Sequence, residues 1–71
     1  MDIYKVTLEA ARRNKRLSQD QVAAQMGTTR ATIHNWESGK TKIDAESLTR
    51  LCDIYEVPMQ HINLQSVSTS A

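Results

Sequence analysis

The sequence predicts an all-α fold: a compact bundle of five short helices, two of them joined by a tight turn. Three observations carry that expectation. Apolar residues recur at helical steps, as in Val22, Ala23 and Met26 and again in Leu48, Leu51, Cys52 and Tyr55. Helix-starting and helix-stopping residues alternate at short intervals, with Ser18, Thr28 and Asp44 as starts and Gly27 and Gly39 as stops. No segment alternates apolar and polar residues with the period of two that a half-buried strand requires.

The first helix is expected from Val6 to Lys15. Leu8 and Ala11 sit three apart on one face, while Arg12, Arg13, Lys15 and Arg16 crowd the C-terminal end, where cations complement the helix dipole. Ser18 offers an N-cap hydroxyl, with Gln21 three residues on as its capping-box partner. The second helix follows over Gln19 to Met26. Gly27 ends it, because the residue after a helix often needs positive φ. Thr28 is expected to cap the third helix, which runs to Ser38 with Ile33 and Trp36 inward and stops at Gly39. A polar loop, Lys40-Thr41-Lys42-Ile43, leads to Asp44, the cap of a fourth helix. Pro58 suits the first turn of a fifth, with Met59, Ile62 and Leu64 apolar. Residues 65–71 are small and polar with one Val and read as a flexible C-terminal tail, which leaves 1–64 as a single domain.

A chain of 71 residues is enough for one domain. At that size folding buries only ~60% of the surface the unfolded chain exposes, so the core is expected to be thin. Cys52 is the only cysteine, which forbids an intramolecular disulfide and fits a reducing cytoplasm. No apolar run approaches the ~18 residues of a membrane span. Met1-Asp2-Ile3-Tyr4 lacks the basic-then-apolar order of a signal peptide. The net charge is only +1, but it is polarised along the chain. Residues 1–42 hold eight basic and four acidic side chains, and residues 43–71 hold one basic and four acidic. A basic first part is the expected footprint of a phosphate-binding surface.

The second helix, Gly27 and the third helix form the informative unit. Two short helices around a tight turn cross steeply, so the second of them protrudes. A protruding helix fits the B-DNA major groove, ~12 Å wide, with its N-terminal part toward the base edges. Opposite Ile33 and Trp36, the third helix carries Arg30, Ala31, His34 and Asn35 as two i,i+4 pairs, with Thr29 at the leading end. Arg can bond guanine with two hydrogen bonds and Asn can do the same with adenine, while Ala and Thr can touch the thymine methyl. Thr29, Arg30, Ala31, His34 and Asn35 are therefore the candidate base-reading set.

Several other residues read more simply. The spacing of Trp36 with Ile33 marks it as core rather than a base-stacking residue. Cys52 packs as a small hydrophobe on the inner face of its helix. His61 has no visible partner, and one Cys with two distant His does not make a zinc site. No metal and no cofactor is expected. With no nucleophile–base pairing, Gly-rich phosphate loop or carboxylate cluster, the chain is read as having no catalytic residues.

Leu17-Ser18-Gln19, Val22-Ala23, Met26-Gly27-Thr28-Thr29, Ile33 and Trp36-Glu37-Ser38-Gly39-Lys40 together resemble the Cro/repressor-type (XRE) helix-turn-helix family. The match continues without a gap through Leu48, Leu51, Val57 and Ile62, and so spans residues 8 to 62. Gly27-Thr28-Thr29 and Ser38 to Lys42 look most like lambdoid phage repressors. The resemblance implies that Gln19 touches a phosphate, often beside the first recognition residue, and the positive end of a helix supports this. It implies that Ser38, Lys40 and Lys42 grip the DNA backbone, and that Arg30, Ala31 and Asn35 read bases. It also implies a partly buried structural ion pair between Arg12 and Glu37. The chain departs from the pattern at Glu56, where a helix-ending Gly is frequent, which predicts a looser turn before Val57. Ile43 replaces a common Pro, and His34 is not a typical base reader.

Two functions follow. The first is a sequence-specific regulator of transcription, a phage or bacterial repressor, that binds a double-stranded DNA operator and pairs as a weak homodimer on it. Met59, Ile62 and Leu64 would supply the dimer contacts. The second is an anti-repressor or antitoxin-like module whose acidic part, Asp44 to Glu56, docks a protein partner such as a rival repressor or a toxin.

Overall fold

Four α-helices follow one another in the computed structural model, which describes residues 5–63. They are α1 (Leu8–Asn14), α2 (Gln19–Met26), α3 (Arg30–Ser38) and α4 (Ala45–Tyr55), followed by a single 3₁₀ turn at Met59–His61. No helix among the described residues is long and apolar enough to cross a membrane. Leu64 and residues 65–71 lie outside the described residues.

Each α-helix starts on a side-chain oxygen that accepts a backbone N–H. Thr7 accepts from Ala10 at 3.0 Å, and Asp44 accepts from Ser47 at 3.2 Å. Ser18 accepts from Gln21 at 3.0 Å while the Gln21 side chain accepts the Ser18 N–H at 2.8 Å, a complete capping box. Hydrogen bonds from Ser47, side chain first and backbone second, hold the Asp44 carboxyl below its usual range. The cap of α3 is Thr29 rather than Thr28. The Thr28 N–H closes α2 on the Ala23 carbonyl at 2.9 Å, which places Thr28 in the turn and Thr29, in extended conformation, directly before α3. Its hydroxyl accepts the Thr32 N–H at 3.2 Å.

Helices α2, α3 and α4 stop on a left-handed residue, Gly27 (φ 73), Gly39 (φ 84) and Glu56 (φ 59), while α1 is capped by Lys15 and reaches its left-handed residue, Arg16 (φ 58), one position later. Gly27 is needed for this conformation alone, because a Cβ there would meet no atom within 4 Å. Glu56 adopts the same geometry without glycine. Val57 donates back to the Cys52 carbonyl at 3.1 Å, so the turn before Val57 is tight, not loosened.

Two further expectations are corrected at the chain ends. The fifth helix is only the 3₁₀ turn, with Pro58 extended before it at ψ 142. The first helix begins at Leu8 because Val6 is taken by an isolated parallel bridge to Ile62. Val6 donates to the His61 carbonyl at 2.8 Å and accepts from the Asn63 N–H at 2.7 Å. This pairing turns Ile62 into the core, away from any dimer surface.

The core is one cluster: Val6, Leu8 and Ala11 from the first segment, Val22, Ala23 and Met26 from α2, Ile33 and Trp36 from α3, then Leu51, Cys52, Tyr55 and Ile62. Helix α2 packs chiefly on α3 and then on α4. At its centre Tyr55 is 2% exposed, and its hydroxyl finds no hydrogen-bond partner among the described residues.

Two outcomes are expected. A non-glycine residue in the left-handed region costs roughly 1–2 kcal/mol. Glycine recovers part of that, offset by greater freedom in the unfolded chain and by loss of the solvent-facing Lys15–Glu56 ion pair at 3.1 Å. Glu56→Gly should therefore raise stability by about 0.5–1 kcal/mol, read as a higher urea midpoint with an unchanged slope. A lower midpoint would mean the left-handed turn is not strained.

Burial, with the nearby Glu37 charge adding to it, raises the Tyr55 phenol above the ordinary tyrosine value of 10.0. Burial likewise raises the Cys52 thiol above 9.0. In both cases the folded state keeps a proton that the unfolded state releases, so stability is intact below those values and falls as pH rises past them. Urea midpoints should decline from about pH 9 upward, and Tyr55→Phe should flatten the decline above about pH 10 while leaving the earlier part.

Candidate nucleic-acid interface

Besides apolar packing, the helix pair α2 and α3 is tied to α1 by one polar side chain. The Arg12 guanidinium donates from Nε to Glu37 Oε2 at 2.7 Å and from Nη2 to Glu37 Oε1 at 3.3 Å. Its Nη1 donates to the Leu17 carbonyl at 2.8 Å. The Leu17 N–H in turn donates to the Arg12 carbonyl at 3.3 Å. Arg12 therefore fastens the α1–α2 turn and the C-terminal half of α3 together. The two side chains are only 9% and 6% exposed, and the Glu37 hydrogen bond raises the Arg12 pKa further above its ordinary value.

Gln19, the first residue of α2, extends this arrangement toward the surface. Its amide nitrogen donates to Glu37 Oε1 at 3.0 Å, and its amide oxygen accepts from Arg30 Nε at 3.4 Å. A groove runs over these groups, with Arg13 on the α1 side and Arg30, His34 and Ser38 on the α3 side. Glu9 and Asp20 also line it, so it is not uniformly basic.

On α3, Ile33 and Trp36 are buried, while Arg30, Ala31 and His34 are exposed and Asn35 is half-buried. Thr29 is exposed too, but its hydroxyl is engaged in capping and lies 3.1 Å from the Thr32 hydroxyl, which leaves its methyl as the outward chemistry. Ser38 donates its hydroxyl to the Asn35 carbonyl at 3.3 Å, and the Thr41 N–H reaches the same carbonyl at 3.3 Å. That pair of bonds folds the loop after Gly39 back along α3. Lys40 and Lys42 are exposed on this loop and form no ion pair among the described residues. The structure thus brings Gln19, Arg30, His34, Ser38, Arg12 and Glu37 around one groove. It sets Ala31 on the neighbouring face of α3 and puts the two lysines past its C-terminus.

Sequence reasoning missed two things. Arg13, read only as a dipole-complementing charge, lines the groove, although it also pairs with Glu9 at 2.8 Å in solvent. The resemblance set Gln19 beside the first recognition residue, as its 3.4 Å contact with Arg30 has it, but not the bond from Gln19 to Glu37, 18 residues away, which no local spacing rule reaches.

Removing one partner of a buried pair leaves a desolvated charge, at a cost of roughly 3–5 kcal/mol. Arg12→Met should therefore cost about 3 kcal/mol or more, read from urea unfolding, whereas Arg12→Met combined with Glu37→Leu should recover most of that loss. A double variant as unstable as the single one would show that the polar contacts themselves, not the stranded charge, set the cost.

A helix-turn-helix family model matches residues 8–62, 55 of the 71 residues, running from the first residue of α1 to the bridge at Ile62. Neither curated proteins nor solved structures yield a match. The matched span contains every cap, turn and packing contact that shapes α2 and α3, and on that ground the chain belongs to the Cro/repressor (XRE-type) helix-turn-helix family of DNA-binding domains.

Proposed function

We propose that this protein is a sequence-specific regulator of transcription, a phage or bacterial repressor, that reads the major groove of an operator with α3. One observation carries the reading. Along a single helix, Ile33 and Trp36 are buried while Arg30, Ala31 and His34 stand exposed on the other side. A nine-residue helix that spends one face on the core and offers the other to solvent, N-terminus leading, has the layout of a recognition helix.

The roles divide by chemistry. Arg30 suits guanine, Asn35 suits adenine, and the Ala31 and Thr29 methyls suit thymine. His34 sits between the base edges and the backbone. Gln19, Ser38, Lys40 and Lys42 are assigned to phosphates, which set register rather than sequence. Arg12 and Glu37 support the site from beneath.

Pairing of two copies on DNA, with half-sites ~10 bp apart, is part of the same proposal. Met59, 42% exposed, is the one large apolar side chain at the surface among the described residues. With Ile62 buried, little apolar area is left for self-association, which supports a dimer formed mainly on DNA.

In vitro selection from a random duplex pool should recover a half-site motif. Against the selected duplex, Arg30→Ala or Asn35→Ala should cost about 1–3 kcal/mol and relax preference at one base pair. Lys40→Ala should weaken binding to all sequences and reduce the salt slope by ~1. A Lys40→Ala variant with altered site preference and an unchanged salt slope would overturn the backbone-gripping role.

A further inference from the structure

We infer that His34 holds a backbone phosphate of DNA only as the imidazolium, so that forming the complex takes up a proton. The inference rests on the reading of α3 as the DNA-facing helix and adds a charge state to one of its residues.

The charges around the groove carry the inference. His34 is exposed on α3, four residues after Arg30 and four before Ser38, and all three line the groove. The charged groups that share it with His34 are Glu9, Arg12 and Arg13 from α1, Asp20 from α2, and Arg30 and Glu37 from α3. Three cations against three carboxylates give a net charge of zero while the imidazole is neutral. Two of the cations are also engaged within the protein, Arg12 by Glu37 at 2.7 Å and Arg13 by Glu9 at 2.8 Å. A groove balanced in this way offers a phosphate no net attraction. One proton on His34 makes it a net cation. Of the side-chain types that line it, imidazole is the one that changes charge between about pH 5 and 8.

The two forms of the ring differ in what they offer. A neutral imidazole has one N–H donor and one acceptor nitrogen, which repels a phosphate oxygen. The imidazolium has two donors and a full charge. A phosphate beside the ring favours the charged form. The DNA-bound ring therefore keeps its proton to higher pH than the free ring. The contact is complete below the free ring's titration range and is lost as pH rises through that of the bound ring. A lysine contact gives no such dependence, because an ammonium keeps its charge throughout. A phosphate contact also acts on every sequence, whereas a base contact acts on one.

The test measures dissociation constants of the full chain by fluorescence anisotropy, at one low ionic strength, on the selected duplex and on a random one. From about pH 6 to about pH 8, wild-type affinity should fall about two- to sixfold on both duplexes. His34→Gln should reduce that fall to less than about 1.5-fold, and His34→Lys should bind tightly over the whole range. The second histidine, His61, sits in the 3₁₀ turn away from the groove, so His61→Gln should keep the wild-type fall. By NMR, the titration of the His34 ring Cε1–H should move up by about half to one pH unit when duplex is bound.

A wild-type affinity that stays level overturns the inference and leaves the DNA reading standing. So does a fall that persists in His34→Gln, or a ring titration that duplex does not move. A fall confined to the selected duplex overturns the phosphate assignment and makes His34 a base contact. If neither duplex binds at any pH, the DNA reading and the inference fall together.

Discussion

Arg12 is the one charged residue in the buried set, and three parts of the chain meet on it. Its guanidinium holds the Glu37 carboxylate near the end of α3 and the Leu17 carbonyl in the α1–α2 turn. Without that tie, α1 would touch α3 through apolar side chains alone, which fix distance but not angle. Hydrogen bonds from a planar fork fix both. The crossing of α2 and α3 is determined by Gly27 and by the packing of Val22, Met26, Ile33 and Trp36. The placement of that pair against the rest of the domain depends on Arg12. The thin core gives the tie its importance, because a dozen buried apolar side chains leave little redundancy.

A second constraint acts at the helix ends. Helices of seven to eleven residues present many unpaired N–H and C=O groups relative to their length. The chain answers with a side-chain cap at every α-helix start and a left-handed residue at the stop of α2, α3 and α4 and one residue past the stop of α1. These stops also steer the chain. Gly27 turns it into α3, Gly39 turns it back toward the Asn35 carbonyl, and Glu56 returns it to the 3₁₀ turn that meets Val6. The backbone conformation at four positions therefore does much of the work that longer helices would leave to packing.

Whatever is encoded locally was readable in the sequence. The bounds of α2 follow from Ser18, Gln21 and Gly27, and the inward placement of Ile33, Trp36, Leu51 and Cys52 follows from helical spacing alone. The errors lie where a distant contact overrides a local signal. Val6 leaves the first helix, and the fifth shrinks to one turn, because residues 6 and 62 pair across the whole chain. Thr28 loses the cap to Thr29 because the turn that closes α2 on the Ala23 carbonyl extends through Thr28, and α3 starts one residue later. Glu56 takes a glycine's conformation because the apolar Val57 must reach the core behind it. For the candidate site, periodicity marked which face of α3 is outward. It could not show that Gln19 stands between Glu37 and Arg30, since that depends on how two helices cross.

The position of the ion pair also bears on why it is there. A buried pair gives little net stability, and replacement by apolar residues of similar size is often neutral or better. Stability alone therefore does not account for Arg12 and Glu37 in so small a core. An apolar substitute could hold α1 against α3, but it could not offer an acceptor to the Gln19 amide. On the proposed reading, that acceptor is what a leucine or methionine cannot replace. It receives the Gln19 amide at 3.0 Å at the edge of the groove beside α3. One buried carboxylate therefore serves both the tie to α1 and the polar surface of the groove, so a substitution at Glu37 should be judged by DNA binding as well as by unfolding.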